Sequence, residues 1–190
     1  MRAKPKQIYQ LATFRADVTP PLGHALMGGG IAPAQRIDDP LFANGFVLSS
    51  GAKPIVFVAV DWCEIRNDAY DRWRAVLAEA ARTTRERVLV TSVHVHDAPV
   101  ADLEAERILE NHKLAGSICD LKFHEQALQR VARSLRDALR NSRRVSHLGI
   151  GQAKVEQVAS NRRFPGPEGK PLFSRMSSTR DPLAHEALEG

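Results

Sequence analysis

The stretches Ile55-Val-Phe-Val-Ala-Val60 and Arg87-Val-Leu-Val-Thr-Ser-Val-His94 decide the fold class of this chain. The first is apolar on both faces, as in a strand that is covered on both sides, and the second is rich in β-branched residues that favour buried strands. Between them, the residues from Asn67 to Ala81 place apolar side chains on one helical face, with Asn67 or Asp68 available to cap the helix. Strand, helix and strand predict a βαβ unit with two parallel strands.

The flanking sequence extends this unit on both sides. The apolar runs Leu41 to Leu48 and Pro54 to Val60 are separated by a short segment that contains Gly51, which predicts a β-hairpin. Apolar residues at helical spacing from Phe123 to Leu139 predict a second amphipathic helix, and Val145 to Val155 reads as a strand. We therefore predict an α/β fold, a mixed β-sheet with a βαβ unit flanked by helices, forming an incomplete single domain.

The two ends of the chain lack such patterns. Phe14 to Gly30 is rich in Gly and Pro and reads as a loop without a phosphate-binding fingerprint. The expected organisation is an opening loop over residues 1–40, an α/β core over 41–158 and an irregular tail over 159–190. Since connections in compact domains usually run ~4–6 residues, so long a tail predicts a connection to a region that this chain lacks.

The composition restricts the class of protein. A hydrophobic content of 43% with 26% charged residues is typical of a soluble globular domain rather than a disordered one. No stretch approaches the roughly 20 apolar residues of a membrane span, and the first residues lack the apolar run of a secretory signal, so a cytoplasmic location is expected. Cys63 and Cys119 lack metal-binding or disulfide spacing and are expected to be ordinary buried thiols.

Basic residues are concentrated in one segment of a chain whose net charge is +5. Arginines recur between Arg130 and Arg144 at helical spacing, which first indicates the solvated face of an amphipathic helix. No nucleic-acid partner is expected. The alternative function is a non-catalytic module that binds anionic surfaces through this helix.

The segment Thr91-Ser-Val-His94-Val-His96-Asp97 carries the candidate chemistry. In an extended backbone His94 and His96 point to the same face, and they follow a parallel strand, where open α/β sheets bind ligands. Asp61 ends the neighbouring parallel strand. Imidazole and carboxylate suit catalytic zinc, which favours hydrolysis. The alternatives are that the histidines bond loop backbone and that Asp61 is a cap or turn residue.

Several segments follow in the order seen in the amino-terminal domain of neutral/alkaline non-lysosomal ceramidases, and the chain resembles that family over nearly its whole length. The segments are Phe14-Arg-Ala-Asp17-Val-Thr19-Pro20-Pro-Leu-Gly23, Asp39-Pro-Leu41, Val58-Ala-Val-Asp61, Thr91-Ser-Val-His94-Val-His96-Asp-Ala-Pro99 and Ser160-Asn161-Arg162-Arg163. The resemblance implies a Zn²⁺ cofactor and hydrolysis of linear amide bonds, as in a ceramidase-like N-acyl amidase acting on a small-molecule or lipid amide.

The resemblance also assigns roles to single residues. It implies zinc binding by His94, contact with the substrate or transition state by His96, and anion contact by Arg162. His96 and Asp61 stay open as further metal ligands, although no family role transfers to Asp61. The family's other zinc ligands, a later His, a Glu and a Tyr, have no counterpart in this chain, which is therefore expected to be inactive alone.

The chain also departs from the family. Asp97-Ala98-Pro99-Val100 stands where the family has a hydroxyl residue and a glycine-rich loop, which weakens the case for a sphingolipid substrate more than the case for zinc. Four histidines outside the His94–His96 pair are expected to be surface or structural residues: His112, His124, His147 and His185.

Overall fold

The computed structural model describes residues 8–155, 163–174, 180 and 182, and the chain divides into two compact units, residues 1–148 and 149–190. The elements of the first unit, in chain order, are β1 (Tyr9–Asp17), β2 (Phe42–Ser49), β3 (Ile55–Val60), β4 (Glu64–Ile65), α1 (Asn67–Ala81), β5 (Val88–Ser92), β6 (Val100–Ala101), α2 (Leu103–Asn111), α3 (Leu121–Leu139) and β7 (Arg143–Val145). In the second unit, β8 (Arg163–Pro165) and β9 (Pro171–Ser174) form an antiparallel pair.

The main sheet is mixed and has the order β5-β3-β2-β1-β7. Strands β3 and β5 run parallel, and all other neighbours are antiparallel. The predicted α/β class, the β2–β3 hairpin and the βαβ unit are confirmed, and α1 has the predicted bounds. The capping prediction is wrong, because α1 begins after Arg66 without a side-chain cap. Asn67 instead donates to the Asp102 carboxylate at 2.8 Å, and Asp68 accepts from the Glu104 N–H at 3.2 Å.

One core joins α1 and α3 to one face of the main sheet. Strand β3 contributes Val56, Val58 and Val60 to this core, while Phe57 on its other face is 39% exposed. In the part of the chain that the structure describes, the helices therefore cover only one face of β3, whereas its sequence predicts cover on both faces. None of the described helices is long and apolar enough to cross a membrane.

The ends of the main sheet differ from the sequence-based expectation. The loop predicted from Phe14 is wrong up to Asp17, because Ala12, Phe14 and Ala16 of β1 alternate into the core. The strand predicted from Val145 to Val155 is wrong beyond Val145. Val145 pairs with Tyr9, the first residue of β1, and the described residues from 146 to 155 belong to no strand. The tail predicted as irregular contains the β8–β9 pair.

Buried carboxylates organise the unpredicted helix α2 and the loop after it. Asp102 caps α2 by accepting the Ala105 N–H at 3.2 Å. The fully buried Glu106 carboxylate accepts backbone N–H groups of Gly116, Ile118 and Cys119. These bonds give the backbone N–H groups of the loop hydrogen-bond partners that they would otherwise lack. They also position the loop that leads into α3.

Candidate metal centre

The candidate site lies where β3 and β5 end side by side, at Val60 and Ser92. Beyond these residues the two chains stay hydrogen-bonded, because the Val93 N–H donates to the Val60 oxygen at 3.1 Å and the His94 N–H to the Trp62 oxygen at 3.2 Å. Segment 93–99 then turns back toward the continuation of β3. Its backbone is thus held at the same edge as residues 61–65.

The return of the chain is fixed by a second, smaller sheet. Strands β4 and β6 pair in parallel, and the Cys63 N–H donates to the Pro99 oxygen at 2.9 Å. Ala98 and Val100 form a small buried cluster with Cys63. Backbone pairing on both sides therefore brings residues 63 and 64 next to His94.

His94 and His96 come together, but not through strand alternation. Strand β5 ends at Ser92, and His94 has a left-handed backbone with φ of 64°. The two imidazole rings are both exposed, with centroids 5.1 Å apart and planes at 87°. A left-handed conformation is uncommon outside glycine, and here the bond from the His94 N–H to Trp62 helps to hold it.

Three potential ligand atoms meet beside this loop. The Cys63 sulfur, a Glu64 carboxylate oxygen and a ring nitrogen of His94 all lie within 4.8 Å of one another. His94 Nδ1 is 3.8 Å from Cys63 Sγ and 3.8 Å from Glu64 Oε1. Among the described residues, this is the group of His, Cys, Asp and Glu side chains that is close enough to hold one ion. Thiolate, carboxylate and imidazole are all zinc ligands.

Sequence reasoning missed Cys63 and Glu64. Cys63 was expected to be an ordinary buried thiol, and both cysteines are indeed buried and free. The sequence feature that could have indicated Cys63 and Glu64 was their position after a strand, not a metal-binding spacing between residues. Both residues lie within four positions of the end of β3, at the edge already assigned to the site from His94 and Asp61.

The charges of the group are set by burial and by Arg66. Burial raises the pKa of the Cys63 thiol, and the neighbouring Glu64 charge adds to that effect. A hydrogen bond from Arg66 lowers the pKa of Glu64, which favours the carboxylate form. A cation at this position would have to displace the thiol proton, as bound metals do.

Asp61 lies at the same edge but fastens the backbone. Its N–H donates to the Phe42 oxygen, and its Oδ2 accepts the Phe42 N–H, both at 2.9 Å. These bonds tie the end of β3 to the start of β2. Asp61 and His96 are not members of the close ligand group. Arg162 lies outside the residues that the structure describes.

The other histidines occupy the environments expected of surface or structural residues. His112 and His147 are exposed. His124 is 2% exposed and accepts the Trp73 Nε1–H at 3.0 Å. His185 lies outside the described residues.

A cavity adjoins the histidine loop. Val95 and Asp97 line it together with Leu26, Pro33 and Ile37, and its volume is about 460 Å³. Segment 93–97 thus carries the exposed imidazoles of His94 and His96, and its residues Val95 and Asp97 line the cavity. Apolar residues form much of the cavity wall, but four charged residues also line it: Arg36, Asp38, Asp39 and Asp97.

Comparison with solved structures identifies this architecture. The chain is similar to a ceramidase complexed with C2, with a TM-score of 0.52 and 18% identity, and to the neutral ceramidase of Pseudomonas aeruginosa, with a TM-score of 0.53 and 17% identity. Each alignment covers 72% of this chain and 22% of the ceramidase chain. No protein-family model and no curated protein matches the sequence. The chain therefore has a ceramidase-like fold that corresponds to about a fifth of those enzymes' length.

Proposed function

We propose that this chain provides the zinc-binding sheet edge of a hydrolase that cleaves linear amide bonds, with His94 as a metal ligand. The observation that carries the proposal is the pair of exposed imidazoles, 5.1 Å apart, at the carboxyl edge of parallel strands in a ceramidase-like fold. Open α/β sheets bind their ligands at that edge. The ceramidase likeness supports a lipid amide as substrate, and a small-molecule amide uses the same chemistry.

The zinc ion, His96, Arg162 and the adjoining cavity would each have a separate role in the hydrolysis of an amide. Bound zinc supplies a Lewis acid and a water of lowered pKa. His96 is exposed beside His94, so its ring can donate a hydrogen bond to the carbonyl oxygen as negative charge develops there. Arg162 is assigned anion contact by the family resemblance alone. The apolar part of the adjoining cavity wall suits the acyl part of the substrate.

The chain alone is proposed to bind substrate analogues without turnover. The structural match covers 22% of the length of the ceramidases. The family resemblance matches none of the later His, Glu and Tyr zinc ligands to this chain. Binding of a substrate analogue is therefore a better test than hydrolysis. An acyl hydroxamate is a suitable probe because it combines an amide-like head that chelates zinc with an acyl chain.

We expect the zinc-loaded chain to bind an acyl hydroxamate in a calorimetric titration and the metal-free chain to show no binding. His94→Gly should lose both zinc and hydroxamate, and glycine suits the left-handed backbone at this position. His96→Ala should keep zinc but bind the hydroxamate about tenfold more weakly, a loss of about 1.4 kcal/mol.

The exposed His147 provides the matched control, because within the described part of the chain its ring hydrogen-bonds only the neighbouring Ser146 hydroxyl, at 3.0 Å. His147→Ala should behave as the unaltered chain. Hydroxamate binding that needs no zinc, or that survives His94→Gly, would contradict the proposed function.

The alternative, an anionic-surface module, is supported by exposed arginines on α3 and β7, among them Arg133, Arg136 and Arg144. Arg130 is engaged within the fold, since it donates to the Asp17 carbonyl oxygen at 2.9 Å. Arg140 is exposed and forms a surface ion pair, with its Nη1 3.4 Å from Asp137 Oδ1. Polyanion binding that falls steeply with salt and is unchanged by His94→Gly would favour this alternative.

A further inference from the structure

We infer that Cys63 and Glu64 join His94 in holding one zinc ion, so that this chain supplies three protein ligands by itself. The inference rests on the proposed role of His94 as a metal ligand, but it extends the site to two residues that the ceramidase resemblance does not include. It also changes the expected strength of binding. A lone imidazole holds zinc weakly, whereas three protein ligands with one open position are the usual composition of a catalytic zinc site.

The two distances from the His94 ring are close to those that a tetrahedral ion requires. Zinc bonds of ~2.3 Å to sulfur and ~2.0–2.2 Å to nitrogen and oxygen place neighbouring ligand atoms about 3.6 Å apart for S···N and about 3.4 Å apart for N···O. The observed separations from His94 Nδ1 are 3.8 Å to Cys63 Sγ and 3.8 Å to Glu64 Oε1. These two separations need to shorten by a few tenths of an ångström, and the Cys63 and Glu64 ligand atoms, which lie within 4.8 Å of each other, must also come within bonding distance of the same ion.

The backbone is already arranged for this contraction. Cys63 and His94 are held by the bonds from their N–H groups to Pro99 and Trp62, so their Cα atoms need not move. The His94 side chain is 60% exposed and that of Glu64 is 29% exposed, which leaves both free to adjust by small side-chain rotations. The exposure of His94 also leaves a fourth position open to water.

Zinc binding at this group would move one proton and release another. His94 Nδ1 lies 3.1 Å from the Cys63 carbonyl oxygen and donates to it when it carries the ring proton. Binding through Nδ1 therefore moves that proton to Nε2 and releases the thiol proton of Cys63 to solvent. Arg66 holds Glu64 Oε2, which leaves Oε1 directed to His94. One thiolate and one carboxylate neutralise the two charges of the ion.

The donor set also selects the class of metal. A thiolate with an imidazole favours zinc and comparable transition metals, while Mg²⁺ and Ca²⁺ prefer sites made of oxygen atoms. Cobalt(II) occupies zinc sites of this kind and reports its ligands by absorption, because a bound thiolate adds a charge-transfer band in the near ultraviolet. Cobalt is therefore the probe of choice.

The experiment titrates the metal-free chain with Co²⁺ and then displaces the cobalt with Zn²⁺. We expect one equivalent to bind and to produce the thiolate charge-transfer band. Cys63→Ser should abolish the band, and both Cys63→Ser and Glu64→Gln should weaken binding by roughly 100-fold, because loss of an outer-shell partner alone costs roughly 10–100-fold. Glu64→Gln should keep the band. Cys119→Ser, which alters the other buried thiol, should leave band and affinity unchanged.

The outcomes separate this inference from the proposed function. If His94→Gly abolishes binding but the unaltered chain shows no thiolate band, the ligand set is wrong while the role of His94 stands. If the band depends on Cys63 but survives His94→Gly, both the inference and the role of His94 are overturned. The spectrum of the unaltered chain decides the role of Cys63 even if Cys63→Ser fails to fold.

Discussion

His124 shows at the scale of one residue how the fold sets chemical properties. Its ring is buried, and Nε2 accepts the Trp73 Nε1–H at 3.0 Å, so the neutral ring carries its proton on Nδ1. Burial lowers the pKa of His124 from 6.5 to about 4. Between about pH 6.5 and pH 4, the His124 ring is protonated in the unfolded chain but neutral in the folded chain. The contribution of His124 to stability is therefore complete above about pH 6.5 and is lost as the pH falls toward 4.

We expect the free energy of unfolding to fall with decreasing pH more steeply in the unaltered chain than in His124→Gln, which does not titrate. The two proteins should diverge by on the order of 3 kcal/mol between pH 7 and pH 4. Urea unfolding at several pH values measures this difference. His24, whose pKa is also lowered by burial, is present in both proteins and cancels. Parallel pH profiles would show that His124 does not titrate as described.

Single residues of the candidate metal centre also differ in how far the sequence predicts them. The proximity of His94 and His96 was predictable because two histidines after a β-branched strand form a local pattern. Cys63 and Glu64 reach His94 through the pairing of β4 with β6, which joins segments more than 30 residues apart and leaves no spacing signal. Asp61 was placed at the correct edge, yet its bonds to Phe42 are backbone contacts that sequence cannot distinguish from a functional role.

Gly45 shows how closely strands β1, β2 and β3 pack against one another. It lies in β2 between β1 and β3, where a Cβ atom would collide with the Phe14 ring and lie 2.5 Å from the Phe57 carbonyl oxygen. The position is therefore closed to any side chain. The Phe14 ring, which is buried in the core, fills the space that a side chain would need.

We expect Gly45→Ala to destabilise the chain by about 1–3 kcal/mol, because overpacking forces the Phe14 ring or the neighbouring strand to shift. Thermal or urea unfolding measures the change. Gly149→Ala is the control, since a Cβ atom there meets none of the described residues within 4 Å. Equal stability of the two variants would mean that β1, β2 and β3 are not packed as described.

Elements with strong internal patterns were predictable, and elements defined by their partners were not. The β3–α1–β5 unit was found because its apolar runs have unambiguous periods. Strand β1 was obscured by the polar residues on its other face, such as Thr13 and Arg15, and by the Gly/Pro-rich loop that follows. Helix α2 buries only Leu103 and Glu106, so it offers almost no apolar stripe to recognise.

At the scale of the whole molecule, the α/β class and the mixed sheet were recognisable from sequence. The residues on the sheet face away from the helices were expected to be covered, but Phe46 and Phe57 stack there with ring centroids 5.1 Å apart, and Leu89 is 46% exposed. The periodicity of a strand reports that both faces are apolar, but not which element covers each face. The ceramidase-like fold was recognised from ordered motifs, although identity with the solved ceramidases is only 17–18%.

The central claim, a zinc ion bound at the carboxyl edge of β3 and β5, is tested most directly by anomalous X-ray scattering at the zinc absorption edge from crystals of the zinc-loaded chain. We predict one strong peak at ~2.0–2.1 Å from His94 Nδ1 and ~2.3 Å from Cys63 Sγ. Zinc bound only at the exposed His112 or His147, with no peak beside His94, would contradict the account.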